Sequence, residues 1–367
     1  MGPVAIVGVG LMGGSLGLAL RDLGGVEVRG SDPDPDALRV AVDVGAIDTA
    51  AGSMEEAVAG ARAVVLAAPV SELVDLARRA LRASAPGCVV TDLGSAKSGI
   101  LAALSPGERE RFIGGHPVCG AERSGVAFAR GELFRGATWF LTPAGEARPD
   151  LLERLYALVA SVGARPVAID ARVHDRLMAL VSHVPHVMAS ALVNQAAATA
   201  PGGREALRSA GPSFHDLTRV AGSNPPLWAD ILLANGEAVV EELRGYGRRL
   251  GEVEDAILRG DRGWLLGFVG DAGRARDRLR EVEDAGPAEP ARVLVAVPNR
   301  PGAISGIATA LGHAHINIED LSLRPGPPEG EGELVLTVDG PDAARRAVLL
   351  IEERGYRARV GNGGVIS

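Results

Sequence analysis

Hydrophobic residues follow three successive patterns along the 367-residue chain. Up to about residue 168, short β-branched runs alternate with Ala- and Leu-rich stretches of helical period. This alternation predicts βαβ units on a largely parallel, doubly wound sheet. The predicted strands are Val4–Val7, Val26–Gly30, Ala63–Ala67, Val89–Thr91, Arg111–Gly114, Ala137–Leu141 and Arg165–Ala168.

The second and third patterns predict two further domains. From residue 169 to about 286 the strand signal disappears, and long helical periodicities predict an all-helical domain suited to a dimer core. A Gly- and Pro-rich linker then leads into a small module whose apolar runs follow the order βαββαβ, the ferredoxin-like arrangement. We therefore predict domains at 1–168, 169–286 and 287–367.

Composition narrows the class of protein. Hydrophobic residues make up 47% of the chain, which is enough for packed cores, and two cysteines offer no disulfide framework. A net charge of −8 without a basic block argues against nucleic acid as a partner. No apolar run reaches the roughly 18 to 20 residues of a membrane span, and no secretory signal is visible. We expect a soluble cytoplasmic protein that handles small molecules.

Glycines after the first strand form a dinucleotide-binding fingerprint. Gly8, Gly10 and Gly13 stand in the pattern G-x-G-x-x-G between a strand and a helical run, with Leu11 and Met12 at the helix start. In this context the glycines permit a tight turn and close approach of backbone to a pyrophosphate at the helix N-terminus. Asp32 ends the second predicted strand, where an acid holds ribose hydroxyls and repels a 2′-phosphate. The pattern predicts NAD rather than NADP, although Asp32 before Pro33 also suits a plain turn.

Four further segments carry residues with chemical potential. Thr91–Ser98, with Ser95 and Lys97, and Gly114–Gly120, with His116, each follow a predicted strand, so both belong to the carboxyl edge where α/β sheets bind ligands. His183 and His186 share one face of a predicted helix kinked at Pro185. The fourth segment, Phe214–Arg219, adds the cation Arg219.

Each of these segments also has a structural interpretation. His116 between Gly and Pro suits a turn cap, Arg219 suits a helix surface, and the two histidines of the helix suit a core or a metal pair. A metal site would need further ligands, and no cysteine or carboxylate is nearby in sequence. We therefore expect no metal. Lys97 is the chain's single lysine among 38 basic residues, which indicates either chance or a position that arginine cannot fill.

Five motifs in order resemble the TyrA family of prephenate and arogenate dehydrogenases. They are G-x-G-L-M-G-G-S, T-D-L-G-S-x-K, G-G-H-P-x-x-G, S-H-x-P-H and F-x-D-x-T-R, from residue 8 to residue 219. The resemblance extends from residue 3 to about residue 285. The C-terminal module, with N-R-P-G at 299–302 and H-I-N-I at 315–318, resembles an ACT domain, which is appended to some members of the family.

The resemblance implies a reaction and a role for each residue. The family oxidises the ring hydroxyl of prephenate by hydride transfer to NAD, and loss of a carboxylate then gives 4-hydroxyphenylpyruvate. By correspondence, His116 is the base, Ser95 bonds the same hydroxyl, and Arg219 holds a substrate carboxylate. His183 and His186 line the pocket, and Trp228 closes it from either the same or a partner subunit.

Departures from the family pattern leave the substrate open. Cys119 and Ala121 replace residues that are more often Ala and Thr, and the following Glu122 suits the amine of arogenate. Prephenate is the first expectation, and arogenate or both substrates the alternative. In the ACT-like module, Gly302 and Asn317 match amino-acid-binding positions, which implies feedback by L-tyrosine or else a module that only dimerises.

Two rival classes remain. A β-hydroxyacid dehydrogenase combines a Rossmann domain with a helical domain, but it relies on a lysine that residues 169–286 lack. A non-catalytic sensor of NAD and an amino acid would not need His116, Ser95 and the paired histidines together.

Overall fold

A computed structural model describes the chain at residues 2–119, 123–199, 208–284, 290–298, 303–314, 316, 318–324, 331–338 and 340–361. The fold divides into two compact units. The first comprises Met1–Asp175, Ala229–Ala234 and Pro290–Ser367, and the second comprises Arg176–Trp228 and Asn235–Glu289.

A five-stranded parallel sheet forms the centre of the first unit. Its strand order, β3-β2-β1-β4-β5, is that of a Rossmann-type domain. Strands β1 and β4 are buried at every residue, as their unbroken apolar sequences require in a sheet covered on both faces. The bounds are β1 Val4–Val7, α1 Leu11–Asp22, β2 Val28–Ser31, α2 Pro35–Asp43, β3 Thr49–Ala50, α3 Met54–Val58, β4 Ala63–Leu66, α4 Leu73–Ala83 and β5 Val89–Asp92.

The next three strands form a sheet of their own rather than continuing the parallel sheet. Strand β6 runs antiparallel to β7, and β7 runs parallel to β8. A single parallel bridge between Val90 and Phe112 links the edge of β5 to this second sheet. The Rossmann-type prediction is confirmed, but its single largely parallel sheet is wrong here, because alternation of apolar runs does not encode strand direction. The bounds are α5 Ser98–Ala103, α6 Pro106–Arg109, β6 Ile113–Pro117, β7 Thr138–Pro143, α7 Pro149–Ser161 and β8 Arg165–Ala168.

The C-terminal module has the predicted βαββαβ order and belongs to the first unit. Its four strands form an antiparallel sheet in the order β10-β11-β9-β12. The module packs on the Rossmann-type domain: the backbone N–H of Leu323 donates to the Glu153 carboxylate at 3.1 Å, and Gly312 lies against the Ala168 carbonyl. The bounds are β9 Ala291–Pro298, α14 Ala303–His313, β10 Ile318–Arg324, β11 Glu331–Val338, α15 Gly340–Glu352 and β12 Arg357–Val360.

Helices make up the regular structure of the described residues between 171 and 284, as the sequence predicts. A π-helical turn, Ala179–His183, separates α8 from α9. Pro185 lacks the N–H that would continue an α-helical ladder, and such π turns re-arrange a helix locally. The bounds are α8 Ala171–Met178, α9 Val184–Thr199, α10 Pro212–Thr218, a 3₁₀ turn Arg219–Gly222, α11 Pro225–Ala234, α12 Gly236–Leu258 and α13 Arg262–Asp284.

One helical stretch, Ala171–Ala198, is long enough and apolar enough to cross a membrane by length and composition alone. The expectation that no such run exists is wrong, because Ser, His and Asn interrupt the apolar residues without adding charge. About a third of its most apolar window, 33%, is buried in the protein. Length and composition do not distinguish a spanning helix from one that packs against other protein.

Candidate active site

Three glycines shape the turn between β1 and α1. Gly8 has a φ of +93°, a conformation that favours glycine, and a side chain there would collide with the Ala67 carbonyl. A side chain at Gly13 would collide with the carbonyl of Gly8, whereas a Cβ at Gly10 would meet open space. Leu11 and Met12 open α1, whose first turn contains no acidic residue. The turn therefore fits a dinucleotide: it leaves room at Gly10 and presents the positive end of a helix.

Asp32 lies at the end of β2 and fixes this turn. Its Oδ2 accepts a hydrogen bond from the Val9 N–H at 2.8 Å, and its Oδ1 accepts one from the Asp34 N–H at 2.9 Å. Asp32 therefore does form a turn, as the structural interpretation predicts, but this does not exclude a role in binding a ribose. Each carboxylate oxygen has two acceptor sites, so both retain capacity for a ribose hydroxyl.

A buried ion pair anchors the loop that carries Ser95. Lys97 and Asp92 are both fully buried, and the Lys97 ammonium bonds the Asp92 carboxylate and the Gly115 carbonyl, the latter at 2.9 Å. Asp92 also accepts the N–H groups of Gly94 at 2.9 Å and Gly115 at 3.1 Å. Burial lowers the pKa of Lys97, and Asp92 opposes that shift. Lys97 thus ties the Ser95 loop to the strand that carries His116.

His116 lies within strand β6 rather than in a loop after a strand. The predicted strand ended at Gly114, but β6 runs through Gly114, Gly115 and His116 to Pro117. A Cβ on Gly115 would stand 2.5 Å from the Asp92 carbonyl oxygen, and one on Gly114 would collide with Thr142 Oγ1 and stand 3.1 Å from Lys97 Cδ. These glycines therefore serve close packing against the ion pair rather than chain flexibility.

Two residues that the sequence analysis missed stand behind His116. His116 Nδ1 lies 2.9 Å from Nε2 of His174, and His174 Nδ1 lies 2.8 Å from Oδ1 of Asp175. The Asp175 carboxylate also accepts the backbone N–H groups of Lys97 and Ser98, each at 2.8 Å. His174 is completely buried. The signal for them in the sequence is a His-Asp pair soon after β8, but polar residues near a helix start are too common to indicate a site.

Burial and hydrogen bonds set the charge of this pair. Burial lowers the pKa of His174 below its ordinary value, against the pull of Asp175. Burial alone would raise the pKa of Asp175, but the hydrogen bonds that its carboxylate accepts from His174 and Ser98 lower it overall. The pair is therefore a neutral imidazole beside an ionised carboxylate.

In the second unit, the paired histidines gather around Trp228. The His186 ring stacks on Trp228 with centroids 3.5 Å apart and planes within 4°, and the His183 ring meets Trp228 edge-on at 6.1 Å. His183 Nδ1 lies 3.1 Å from the amide nitrogen of Asn235, a contact that sequence gave no reason to expect. Trp228 of the same chain thus covers both histidines, as their shared face predicts.

Burial lowers the pKa of His186, so this side chain is neutral near pH 7 and is not the cation that an anionic substrate would attract. Its buried Nδ1 has no hydrogen-bond partner among the described residues.

The described residues contain no group of three or more His, Cys, Asp or Glu side chains that could hold a metal ion.

The other predicted site residues are Arg219, Glu122, Gly302 and Asn317. Arg219 lies exposed at the start of the 3₁₀ turn that follows α10. Glu122, Gly302 and Asn317 fall outside the described residues.

Comparison with known protein families identifies all three parts of the chain. A sequence model of the prephenate dehydrogenase nucleotide-binding domain matches residues 16–168, and one of the prephenate dehydrogenase dimerization domain matches residues 170–269. An ACT-domain model matches residues 291–350. The prephenate dehydrogenase of Bacillus subtilis (strain 168) is 30% identical over 355 residues, 96% of each chain.

The chain belongs to the prephenate dehydrogenase family. This confirms the resemblance drawn from the five motifs, and the ACT match confirms the C-terminal one. Solved structures of family members share the fold. A prephenate dehydrogenase from A. aeolicus, in complex with hydroxyphenyl propionate and NAD+, has a TM-score of 0.72 and 31% identity, over 76% of this chain and 98% of its own.

An arogenate dehydrogenase from Synechocystis is also similar, with a TM-score of 0.67 and 26% identity over 76% of this chain and 99% of its own. The long apolar helix Ala171–Ala198 lies in the region matched by the dimerization domain of this prephenate dehydrogenase family. The family match thus assigns this helix to a domain named for dimerization.

Proposed function

We propose that the protein catalyses the NAD-dependent oxidative decarboxylation of prephenate to 4-hydroxyphenylpyruvate, in tyrosine biosynthesis. The observation that carries this proposal is His116, an imidazole held by His174 and tied through Gly115 to the loop of Ser95. Membership of the family and the dinucleotide turn at Gly8 support it.

His116 is the general base of the proposed reaction. It takes the proton of the ring 4-hydroxyl while the hydride leaves the ring carbon that bears this hydroxyl. Ser95 forms a hydrogen bond with the same hydroxyl. A positioned base is typically worth about 10²- to 10⁴-fold in rate. When bound, the nicotinamide supplies the hydride acceptor. Loss of the ring carboxylate as carbon dioxide then leaves its electron pair in an aromatic ring, and the proton returns from His116 to the phenolate.

The substrate's two carboxylates and its apolar ring require different partners. Arg219 holds a carboxylate through the planar fork of its guanidinium. His183, His186 and Trp228 form the wall of the pocket. With a neutral His186, the wall contributes hydrogen bonding and stacking rather than charge.

The cofactor is NAD, held at the glycine turn and by Asp32. A 2′-phosphate beside the Asp32 carboxylate would meet a like charge costing several kcal/mol. Since about 1.4 kcal/mol is tenfold in affinity, the preference for NAD over NADP is roughly a hundredfold or more.

Arogenate is the second candidate substrate, favoured by the similarity to the Synechocystis arogenate dehydrogenase. Arogenate carries an amine where prephenate carries a keto group, and Glu122 is the carboxylate proposed to meet that amine.

The deciding experiment measures NADH formation with prephenate and with arogenate, first under NAD and then under NADP. We expect turnover of prephenate with NAD, and a fall in kcat of at least about 100-fold in His116→Asn with NAD affinity retained. Faster turnover of arogenate would reassign the substrate, and no turnover of either would refute the function. Near-normal kcat in His116→Asn would remove His116 as the base.

The ACT module supports a regulatory proposal: L-tyrosine binds at Gly302 and Asn317 and inhibits the enzyme. Titration with L-tyrosine should lower the rate and raise the thermal midpoint, and both effects should disappear in a chain truncated after residue 287. Inhibition retained by the truncated chain would place the tyrosine effect in the active site instead.

The dimerization-domain match and the exposed apolar side chains support a proposal for the assembly and the location of the protein. The family's dimerization domain covers 170–269, and large apolar side chains such as Leu258 and Val269 are 77% and 67% exposed in a single chain. We propose a soluble, cytoplasmic homodimer, with domains at 1–168, 169–286 and 287–367. Limited proteolysis near residue 287 tests the last boundary.

A further inference from the structure

The unassigned pair His174 and Asp175 stands directly behind the proposed base. All contacts along this line belong to one compact unit: His116 Nδ1 to His174 Nε2 at 2.9 Å, then His174 Nδ1 to Asp175 Oδ1 at 2.8 Å. The His174 ring meets His116 and Phe140 edge-on, at 5.1 and 5.4 Å between centroids. The pair is therefore held by packing as well as by hydrogen bonds.

Asp175 fixes the direction of these hydrogen bonds. An ionised carboxylate only accepts, and Asp175 already accepts the N–H groups of Lys97 and Ser98. His174 must therefore donate from Nδ1 to Asp175. A neutral His174 then has an unprotonated Nε2, which can only accept from His116.

We propose that His174 and Asp175 are positioning residues that hold His116 as the tautomer protonated at Nδ1, with Nε2 unprotonated as the atom that takes the substrate proton. Which ring nitrogen carries the proton is set by the partner of the other nitrogen. A base whose Nε2 already carried a proton could not accept another. The pair also stabilises the imidazolium that forms on His116, because a hydrogen bond from a charged donor is the stronger one.

The same contacts connect the base to the Ser95 loop. The Asp175 carboxylate accepts hydrogen bonds from the backbone N–H groups of Lys97 and Ser98, while the Lys97 ammonium donates to the Gly115 carbonyl next to His116. One carboxylate therefore orients His116 through His174 and positions the loop of the proposed hydroxyl-binding Ser95 directly. This inference rests on the proposed function for its chemistry but not for its geometry.

The test compares two replacements of His174. Glutamine keeps the hydrogen-bonding groups of the side chain, and phenylalanine keeps the size of the ring. In His174→Gln, the Asp175 carboxylate attracts the side-chain NH₂ and leaves the amide oxygen to accept from His116, so the direction is preserved. In His174→Phe, the ring remains but no atom accepts. Val173→Phe is the control, since it adds the same ring one residue earlier, on a side chain that is 36% exposed.

The first readout is the tautomer of His116 in the ligand-free enzyme, measured by ¹⁵N NMR of imidazole-labelled protein. The chain has seven histidines, and the His116 signals are assigned by their loss in His116→Asn. We expect a protonated Nδ1 and an unprotonated Nε2 in the wild type and in His174→Gln. His174→Phe should show both tautomers or the reverse one. A wild-type His116 protonated at Nε2 overturns the proposal, even if His174→Phe fails to fold.

The second readout is kinetic. His174→Phe should lower kcat by about 100-fold or more while the KM for NAD changes by less than about threefold, and His174→Gln should recover kcat to within about tenfold of wild type. Val173→Phe should behave as wild type. Equal losses in the Phe and Gln variants, or an unchanged kcat in His174→Phe, would contradict the proposal. Because the NMR readout needs no substrate, failure of prephenate turnover and failure of this inference are separable.

Discussion

At the scale of single residues, the surroundings of Lys97 explain why the chain contains a lysine at this one position. A chain that uses arginine elsewhere keeps one lysine where the side chain is fully buried between the Asp92 carboxylate and the Gly115 carbonyl. A compact ammonium fits that space beside two glycines, whereas a planar guanidinium is larger and needs a fork of acceptors. The interpretation as a position closed to arginine is therefore supported over chance.

Removing the Lys97 charge should destabilise the protein strongly. Lys97→Met leaves the buried Asp92 carboxylate without its counterion, a change that typically costs about 3 to 5 kcal/mol. Arg39→Met is the control, because Arg39 forms an exposed pair with Asp36 and should change stability by less than about 1 kcal/mol. Urea unfolding measures both. A Lys97→Met loss as small as the control's would show that the ion pair is not important for stability.

At the scale of elements, the stretch from α8 through the π turn to α9 carries most of the histidine chemistry. His174 lies in α8, His183 ends the π turn, and His186 lies in the first turn of α9. Helical period alone predicted that His183 and His186 share a face. It could not predict that His174, nine residues earlier, contacts a strand that begins 61 residues before it.

The buried histidines should make stability depend on pH. Burial lowers the folded-state pKa of His174 and His186 below the ordinary value of about 6.5, so the unfolded chain binds more protons in that range. The free energy of unfolding should therefore fall as pH drops from 7.5 to 5.5.

Urea unfolding at both pH values measures this fall, and His174→Gln should reduce it by removing one of the two groups. The lowered pKa of Asp175 acts in the same direction but below pH 4, outside the measured range. A fall that is identical in His174→Gln would contradict the assignment to His174.

At the scale of the whole molecule, the C-terminal module packs against the Rossmann-type domain in the first unit. Helix α14 presents Gly312 to the Ala168 carbonyl so closely that a Cβ there would collide with it, whereas a Cβ at Gly306 on the same helix meets open space. Leu323 and Glu153 add a hydrogen bond nearby.

These two glycines offer a matched test of the packing. Gly306→Ala should stabilise by about 0.5 to 1 kcal/mol, since alanine favours a helix. Gly312→Ala should destabilise instead, because the added methyl group meets the Ala168 backbone. Thermal midpoints of the full-length variants measure both. A gain in both variants would show that the module does not pack in this way in solution.

The sequence alone determined the elements, the cofactor turn and the identity of the chemistry. Apolar periodicity specified strands and helices because each element must bury one face, and the glycine turn was visible because its backbone demands glycine at Gly8. Short motifs singled out His116, Ser95 and the paired histidines as candidate site residues. Only the tertiary structure decided strand direction in the second sheet and the partners of those residues. The contacts of His116 with His174, and of Lys97 with Asp92 and Gly115, join segments up to 58 residues apart, and local pattern carries no record of such distances.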